Sequence, residues 1–283
     1  MDFFNWLNKR EDIEVKKGVQ RDSDFSSFKL VTDFIYEQSG IIDLDKRTLA
    51  ISRIQQYAQS KNIYTTSELL HSMKNIDECY QDIMNIATVN ETFFMREVKE
   101  LEWLVQYIKN NQNKTTLSAQ KKFKVLSMPC SSGEEAYSIL LMLKEEGVDM
   151  SHIEITGYDI NSKAIQNAIN GEYDEHSLHK IDTNMINKYF TKVDTHFQIS
   201  SVFREKPIFT QNNIFDLVDE KSTYDIVLSR NMFIYFDDEK RESALNIIVS
   251  LLNEGGIYIK GHADHIKQHL YLKNIKHGVY QKI

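Results

Sequence analysis

The sequence predicts an α/β protein in two parts: a helical N-terminal domain, then an open, mostly parallel β-sheet with helices on both faces. Three observations carry this prediction. From Phe25 to about Ile108 the apolar residues recur at helical spacing. Asn110 to Lys122 is polar and amide-rich and has no apolar period. From Phe123 onward, short apolar runs alternate with helical segments, as in successive β-α-β units. The expected divisions are a leader over residues 1–24, a helical domain over 25–109, a connection over 110–122 and the sheet domain over 123–283.

In the helical part, Phe28, Val31, Phe34 and Ile35 share one face of a helix that stops at Gly40, a usual residue just past a helix end. A second helix carries Ile51, Ile54 and Ala58 at helical spacing, and Lys46, Arg47 and Arg53 give that segment a basic character in an otherwise acidic chain. The basic residues read either as a solvated face or as a binding surface. Thr65 and Glu68 have capping-box spacing ahead of Leu69, Leu70 and Met73, and a further helix bears Tyr80, Ile83, Met84 and Ala87.

The sheet domain opens with the strand Phe123 to Met128 and a helix that places Ala136, Ile139, Leu140 and Leu143 on one face. A second strand, Ile153 to Tyr158, ends in Asp159 and leads to a helix with Ala164, Ile165 and Ala168 inside. Short β-like runs between about Tyr173 and Thr210 suggest a small antiparallel insert, read either as a peptide-binding edge or as a plain structural addition. The strand Pro207 to Gln211, the strand Tyr224 to Ser229 and the helix Glu239 to Leu252 follow. That helix should end at Gly255 and Gly256, before the strand Ile257 to Lys260, and Tyr271 to Ile275 with Gly278 to Ile283 forms a closing hairpin.

Composition narrows the function classes. A chain of 283 residues with 41% hydrophobic content can bury one large core and a satellite, and its net charge of −7 argues against general polyanion binding. No apolar run approaches membrane-spanning length, and Met1 to Asp12 lacks the features of a secretion signal, so a cytoplasmic location is expected. Cys79 and Cys130 are the only cysteines and lack metal-ligand spacing, so free thiols are expected and a zinc site is not.

The chemistry concentrates where strands end, the place ligands occupy in open parallel sheets. Met128 to Glu135 turns a strand into a helix with a glycine and two acids. Gly133 would let the backbone approach a ligand, and Glu134 with Glu135 would repel phosphate and favour a cation, or would simply complement the helix dipole. Asp159 suits ribose hydroxyls or reads as a helix cap, Asn213 suits an adenine edge or is with Asn212 a turn residue, and Arg230, Asn231 and Tyr235 follow the Tyr224 strand. Asn90 to Arg96 alternates aromatics with polar groups, and Arg96 can hold a carboxylate in two-pronged geometry. Its alternative is a core helix start capped by Thr92, with Phe94 buried.

With these residues assembled, the chain resembles the chemotaxis receptor methyltransferase (CheR) family from about residue 25 to the end. The family's Asn-x-Thr-x-Phe-x-Arg pattern matches Asn90, Thr92, Phe94 and Arg96, and its Ser-Thr-Gly-Glu-Glu-Pro-Tyr-Ser stretch appears as Ser131 to Ser138. Asp159-Ile160-Asn161 stands for Asp-Ile-Asp, and Arg230 to Phe236 is intact. The resemblance implies a Rossmann-like S-adenosylmethionine-dependent methyltransferase domain with a β-subdomain insert, esterifying glutamates on the cytoplasmic domain of transmembrane chemoreceptors. By the same resemblance, Asn90, Thr92, Arg96, Glu135, Asp159, Asn213, Ile214, Arg230 and Asn231 would line the cofactor pocket, with Arg96 and Tyr235 nearest the methyl. Lys46, Arg47 and Arg53 would face the receptor, and a monomer is expected. Ala136 replaces the family's proline, Asn161 its second aspartate and Ala263-Asp264 a Ser-Glu pair, and the loop between Tyr189 and Phe197 is short. Two other readings keep the cofactor: a methyltransferase acting on another protein carboxylate, and a non-catalytic S-adenosylmethionine-binding signalling module.

Overall fold

The computed structural model describes residues 28–111, 122–220 and 223–283. The leader expected over 1–24 and most of the connection expected over 110–122 lie outside the described residues.

The helical part begins with α1, Lys29–Ser39, which ends at Gly40 in the left-handed region with φ 72°. After a 3-10 turn, Leu44–Lys46, come α2 (Thr48–Ser60), α3 (Thr66–Asn75) and α4 (Asp77–Ala87). The capping box at the start of α3 is present in both directions, with Glu68 N–H donating to Thr65 Oγ1 at 3.2 Å and Thr65 N–H to Glu68 Oε2 at 3.2 Å. Val31, Ile35, Ile54, Leu69, Ile83 and Met84 are fully buried in a core separate from that of the sheet. The basic residues expected on one helix are divided. Lys46 lies in the 3-10 turn and Arg47 precedes α2, so Arg53 alone of the three is on that helix. The next helix, α5 (Val98–Asn111), buries Leu101, Leu104, Val105 and Ile108 in the core of the sheet domain, although the sequence reading placed it with the helical segment.

The sheet has the order β6-β2-β1-β7-β8-β10-β9. Its strands are β1 (Phe123–Ser127), β2 (Ile153–Asp159), β6 (Ile208–Gln211), β7 (Tyr224–Ser229) and β8 (Leu252–Lys260), all parallel, and the antiparallel pair β9 (Leu272–Lys276) and β10 (Val279–Lys282). Successive residues face opposite sides, so Val125, Ile226 and Ile257 enter one core while Leu126, Val227 and Tyr258 enter another. Helix α6 (Glu134–Glu145) connects β1 to β2, and α7 (Ser162–Asn170) follows β2. Helix α11 (Asp238–Leu251) runs directly into β8 without the break expected at Gly255 and Gly256. The β7–β8 register shifts between Tyr224 and Ile226, which accommodates the glycine pair inside the strand.

The insert contains the antiparallel sheet β3-β5-β4, built from β3 (Glu172–Tyr173), β4 (Phe190–Val193) and β5 (His196–Ile199). It also holds three short helices, α8 (Glu175–Leu178), α9 (Thr183–Tyr189) and α10 (Ser201–Arg204), which the β-like reading of this segment did not anticipate. The strand expected over Pro207 to Gln211 is β6 in the main sheet, so the last residues of the segment given to the insert, Ile208 to Thr210, belong to that sheet. No helix among the described residues is long and apolar enough to cross a membrane.

Candidate functional site

The strand order reverses at β1, with β2 and β6 on one side and β7 and β8 on the other. Such a reversal opens a crevice beyond the strand ends. A cavity lies there. Its walls are Met128 to Ser131 after β1, Asp159 and Ile160 after β2, Asn212 to Ile214 after β6, and Arg230 to Met232 after β7. Thr88 to Phe93 and Arg96 come from the segment joining α4 to α5, while Ile41 and Arg47 come from the helical part. Both parts of the chain therefore enclose it. Of the residues expected at the site, Asn90, Thr92, Arg96, Glu135, Asp159, Asn213, Ile214, Arg230, Asn231, Tyr235 and Arg47 all reach this cavity. Lys46 and Arg53 do not line it and are exposed, with Lys46 paired to Asp43 at 2.6 Å.

The two glutamates after Gly133 have different surroundings. Glu135 lines the cavity, and its carboxylate accepts from Ser127 Oγ at 2.7 Å and from Arg230 Nη1 at 2.7 Å. Glu134 is buried beneath the loop, where Ser132 Oγ donates to it at 2.8 Å and Ser177 Oγ at 3.4 Å, and burial pushes its carboxyl up to about 7. Gly133 also departs from its expected role. It has φ 89°, and a Cβ there would meet Phe209 Cζ at 2.9 Å and Ala168 Cβ at 3.0 Å, so the close approach it permits is to protein. Gly157 in β2 repeats this constraint, with Phe209 Cδ1 at 2.5 Å from an added Cβ.

Asp159 is buried at the end of β2 and accepts from Asn161 N–H at 2.9 Å and Ser131 N–H at 2.8 Å, one on each oxygen. Each oxygen keeps further acceptor capacity. Burial pushes the carboxyl up to about 6, against the pull of those backbone N–H groups. Of the two readings of Asn213, its hydrogen bonds are those of the turn residue. Its Nδ2 donates to the Gln38 carbonyl at 2.7 Å and its Oδ1 accepts from Phe215 N–H at 3.2 Å, so the side chain caps a turn and ties the two parts of the chain together.

Asn90 to Glu97 is an irregular segment, and α5 starts only at Val98, so Thr92 does not cap a helix. Phe94 is fully buried, edge-on to Tyr173 at 4.8 Å and Phe190 at 5.3 Å, which fixes the segment to the insert. Arg96 donates to the Glu91 carbonyl and lies 5.9 Å from the Phe93 ring. The Arg47 guanidinium stands 5.2 Å over the Tyr235 ring. Burial raises the Tyr235 hydroxyl above the ordinary tyrosine range, partly offset by the charges of Arg47 and Arg96.

One residue at the centre of the polar framework was missed in the sequence. Glu97, at φ 49°, accepts from Arg230 Nη2 at 3.3 Å, from Asn231 Nδ2 at 3.3 Å and from His262 N–H at 3.0 Å. Burial would raise its carboxyl, but Arg230 and these donors hold it below the usual range. Asp264 braces the same corner, accepting from the N–H groups of Asn231 at 2.6 Å and Gly261 at 3.1 Å. Adjacency to Arg96 was the signal available for Glu97; nothing local marked its three partners.

An acid after the second strand, a carboxylate against the first helix and apolar walls from Met128, Ile214, Met232 and Phe236 suit a nucleoside that carries a positive charge. The fold and this crevice define an α/β methyltransferase whose cofactor is S-adenosylmethionine. The family model for the CheR methyltransferase, SAM binding domain, matches residues 90–280, and the chain belongs to that family. It is 31% identical over 258 residues to Chemotaxis protein methyltransferase 2 of Vibrio cholerae, covering 87% of this chain and 86% of that one. It is 30% identical over 252 residues to a chemotaxis protein methyltransferase of Campylobacter jejuni, covering 87% and 92%, and 24% identical over 246 residues to that of Escherichia coli, covering 84% and 83%.

Proposed function

We propose that this chain transfers the methyl group of S-adenosylmethionine to glutamate carboxylates on the cytoplasmic domain of chemoreceptors, forming methyl esters. The observation that carries this reading is the distribution of cations at the cavity. Arg230 is tied to two carboxylates, whereas Arg47 and Arg96 pair with no carboxylate among the described residues and both influence Tyr235. Two guanidinium groups are thus available to an incoming anion.

A glutamate side chain, with an ordinary pKa of about 4.3, is already a carboxylate at neutral pH and needs no general base. The bound cofactor supplies an electrophilic methyl carbon. The carboxylate oxygen would bond to that carbon while the carbon–sulfur bond breaks and its electron pair returns to sulfur, leaving an ester and a neutral thioether. The protein's part is alignment and exclusion of water. Arg96 and Arg47 orient the carboxylate, and Tyr235 packs or hydrogen bonds beside the reacting oxygen. Strong pairing of either arginine with the acceptor would stabilise the ground state more than the transition state, where that charge is fading, so their role is orientation rather than tight pairing. Asp159 takes the ribose hydroxyls, Glu135 faces the methionine end, and Asn90, Thr92 and Ile214 complete the pocket. The test is incubation with radiolabelled S-adenosylmethionine and receptor-containing membranes. Base-labile methyl label on the receptor is expected; cofactor binding without such label would overturn the assignment of the acceptor.

A further inference from the structure

Arg230 sits with its side chain only 3% exposed between two acids from distant parts of the chain. Nη1 is 2.7 Å from Glu135 Oε2 and Nη2 is 3.3 Å from Glu97 Oε2. Glu135 lines the cavity and Glu97 does not. The charges do not cancel: one guanidinium against two carboxylates leaves a net charge of about −1. Without Glu97, the group facing the cavity would be a neutral Arg230–Glu135 pair. Glu97 is well suited to stay ionised, because Arg230, Asn231 and the His262 N–H all favour its carboxylate.

S-adenosylmethionine and its product differ by one positive charge, carried by the sulfonium. We infer that Glu97 is a positioning residue that occupies Arg230 from outside the cavity, so that the negative charge of Glu135 distinguishes the charged cofactor from its neutral product. The inference rests on the proposed placement of the cofactor's methionine end against Glu135.

The experiment is calorimetric titration of the full chain with S-adenosylmethionine and, separately, with S-adenosylhomocysteine, in the wild type and in charge variants. Glu97→Gln should lower the ratio of the two affinities by about tenfold, because one charge is lost near a charged ligand, while binding of the neutral product changes far less. The double variant Glu97→Gln with Arg230→Gln removes both outer charges and leaves Glu135 alone, so the ratio should return to within about threefold of the wild type even though both affinities fall. Equal weakening of both ligands by Glu97→Gln, or a double variant that does not regain the ratio, overturns the inference. If Glu97→Gln does not fold, Glu97→Ser takes its place, with the same fall in the ratio expected and equal weakening of both ligands overturning the inference. Glu135→Gln separates the inference from its basis. A fall in the ratio there, with none in Glu97→Gln, rejects the role of Glu97 and keeps the placement, whereas an unchanged ratio rejects both.

Discussion

Lowering the pH from 7 to 5 should weaken binding of the cofactor product, S-adenosylhomocysteine, and relieve the burial cost of one carboxylate, through Asp159. Its carboxyl is pushed up to about 6 by burial, opposed by the N–H groups of Asn161, Ser131 and Ile160. At that value about nine-tenths of the group is ionised at pH 7 and about one-tenth at pH 5. If ribose hydroxyls donate to the ionised form, affinity for S-adenosylhomocysteine falls about tenfold over this range. The stability contribution has the opposite sign. The folded value lies above the unfolded value of about 3.9, so the folded chain binds this proton more tightly. Ionisation therefore costs on the order of 3 kcal/mol at pH 7, and that cost is relieved as the pH falls from about 6 to about 4. Asp159→Asn serves as the reference. Its amide NH2 must face one of the two N–H donors now bound to the carboxylate, which weakens binding at every pH by about 1–3 kcal/mol and removes the titration. Calorimetry from pH 8 to 5, with urea unfolding of the ligand-free chain, follows both effects. A wild-type affinity that is flat between pH 7 and 5, or an Asp159→Asn variant that keeps the same fall, refutes the reasoning.

Three further outcomes can be measured directly. Phe94→Ala removes a fully buried ring held edge-on by Tyr173 and Phe190, and should cost about 3–5 kcal/mol in urea unfolding; a loss under about 1 kcal/mol would mean that the segment is held by its backbone alone. Asn161→Ala removes the N-cap of α7 and the donor to Thr88 Oγ1 at 2.7 Å and the Asn85 carbonyl at 3.2 Å. It should destabilise the chain by about 2–4 kcal/mol and loosen the contact between helical part and sheet, visible as faster amide exchange in α4. Arg47→Met keeps an apolar body beside Tyr235 but removes the cation; KM for receptor should rise by about tenfold while affinity for S-adenosylmethionine stays within about twofold. Loss of cofactor affinity instead would place Arg47 on the wrong ligand.

What was legible in the sequence was what local chemistry decides. The end of α1 at Gly40, the capping box of Thr65 and Glu68 and the buried strands around Val125 and Ile226 depend on neighbours a few residues away or on an apolar run. The strand ends then indicated where polar groups would collect. Partner choice was not legible. Glu97 meets Arg230, Asn231 and His262 because the ends of β7 and β8 lie beside the segment before α5, a juxtaposition set by topology. Asn213 could be read as a pocket amide because nothing local shows that Gln38 will arrive to accept from it. The short helices of the insert were missed because four to seven residues are too few to display a helical period, and the basic residues around Arg47 were read as one surface because charge was visible and the turn before α2 was not.

Phe209 lies on the strand at the margin of the sheet, yet it fills the space left empty by Gly133 and Gly157. These three residues form a unit of substitution. Any side chain at either glycine collides with the ring, and trimming the ring leaves a void directly behind the turn that leads into Glu135 at the start of α6. A variant library that explores the cavity walls one position at a time will record all three as immutable, whereas paired changes, a smaller residue at 209 with alanine at 157, open a route to reshaping the cofactor loop from its rear without altering any residue that lines the cavity.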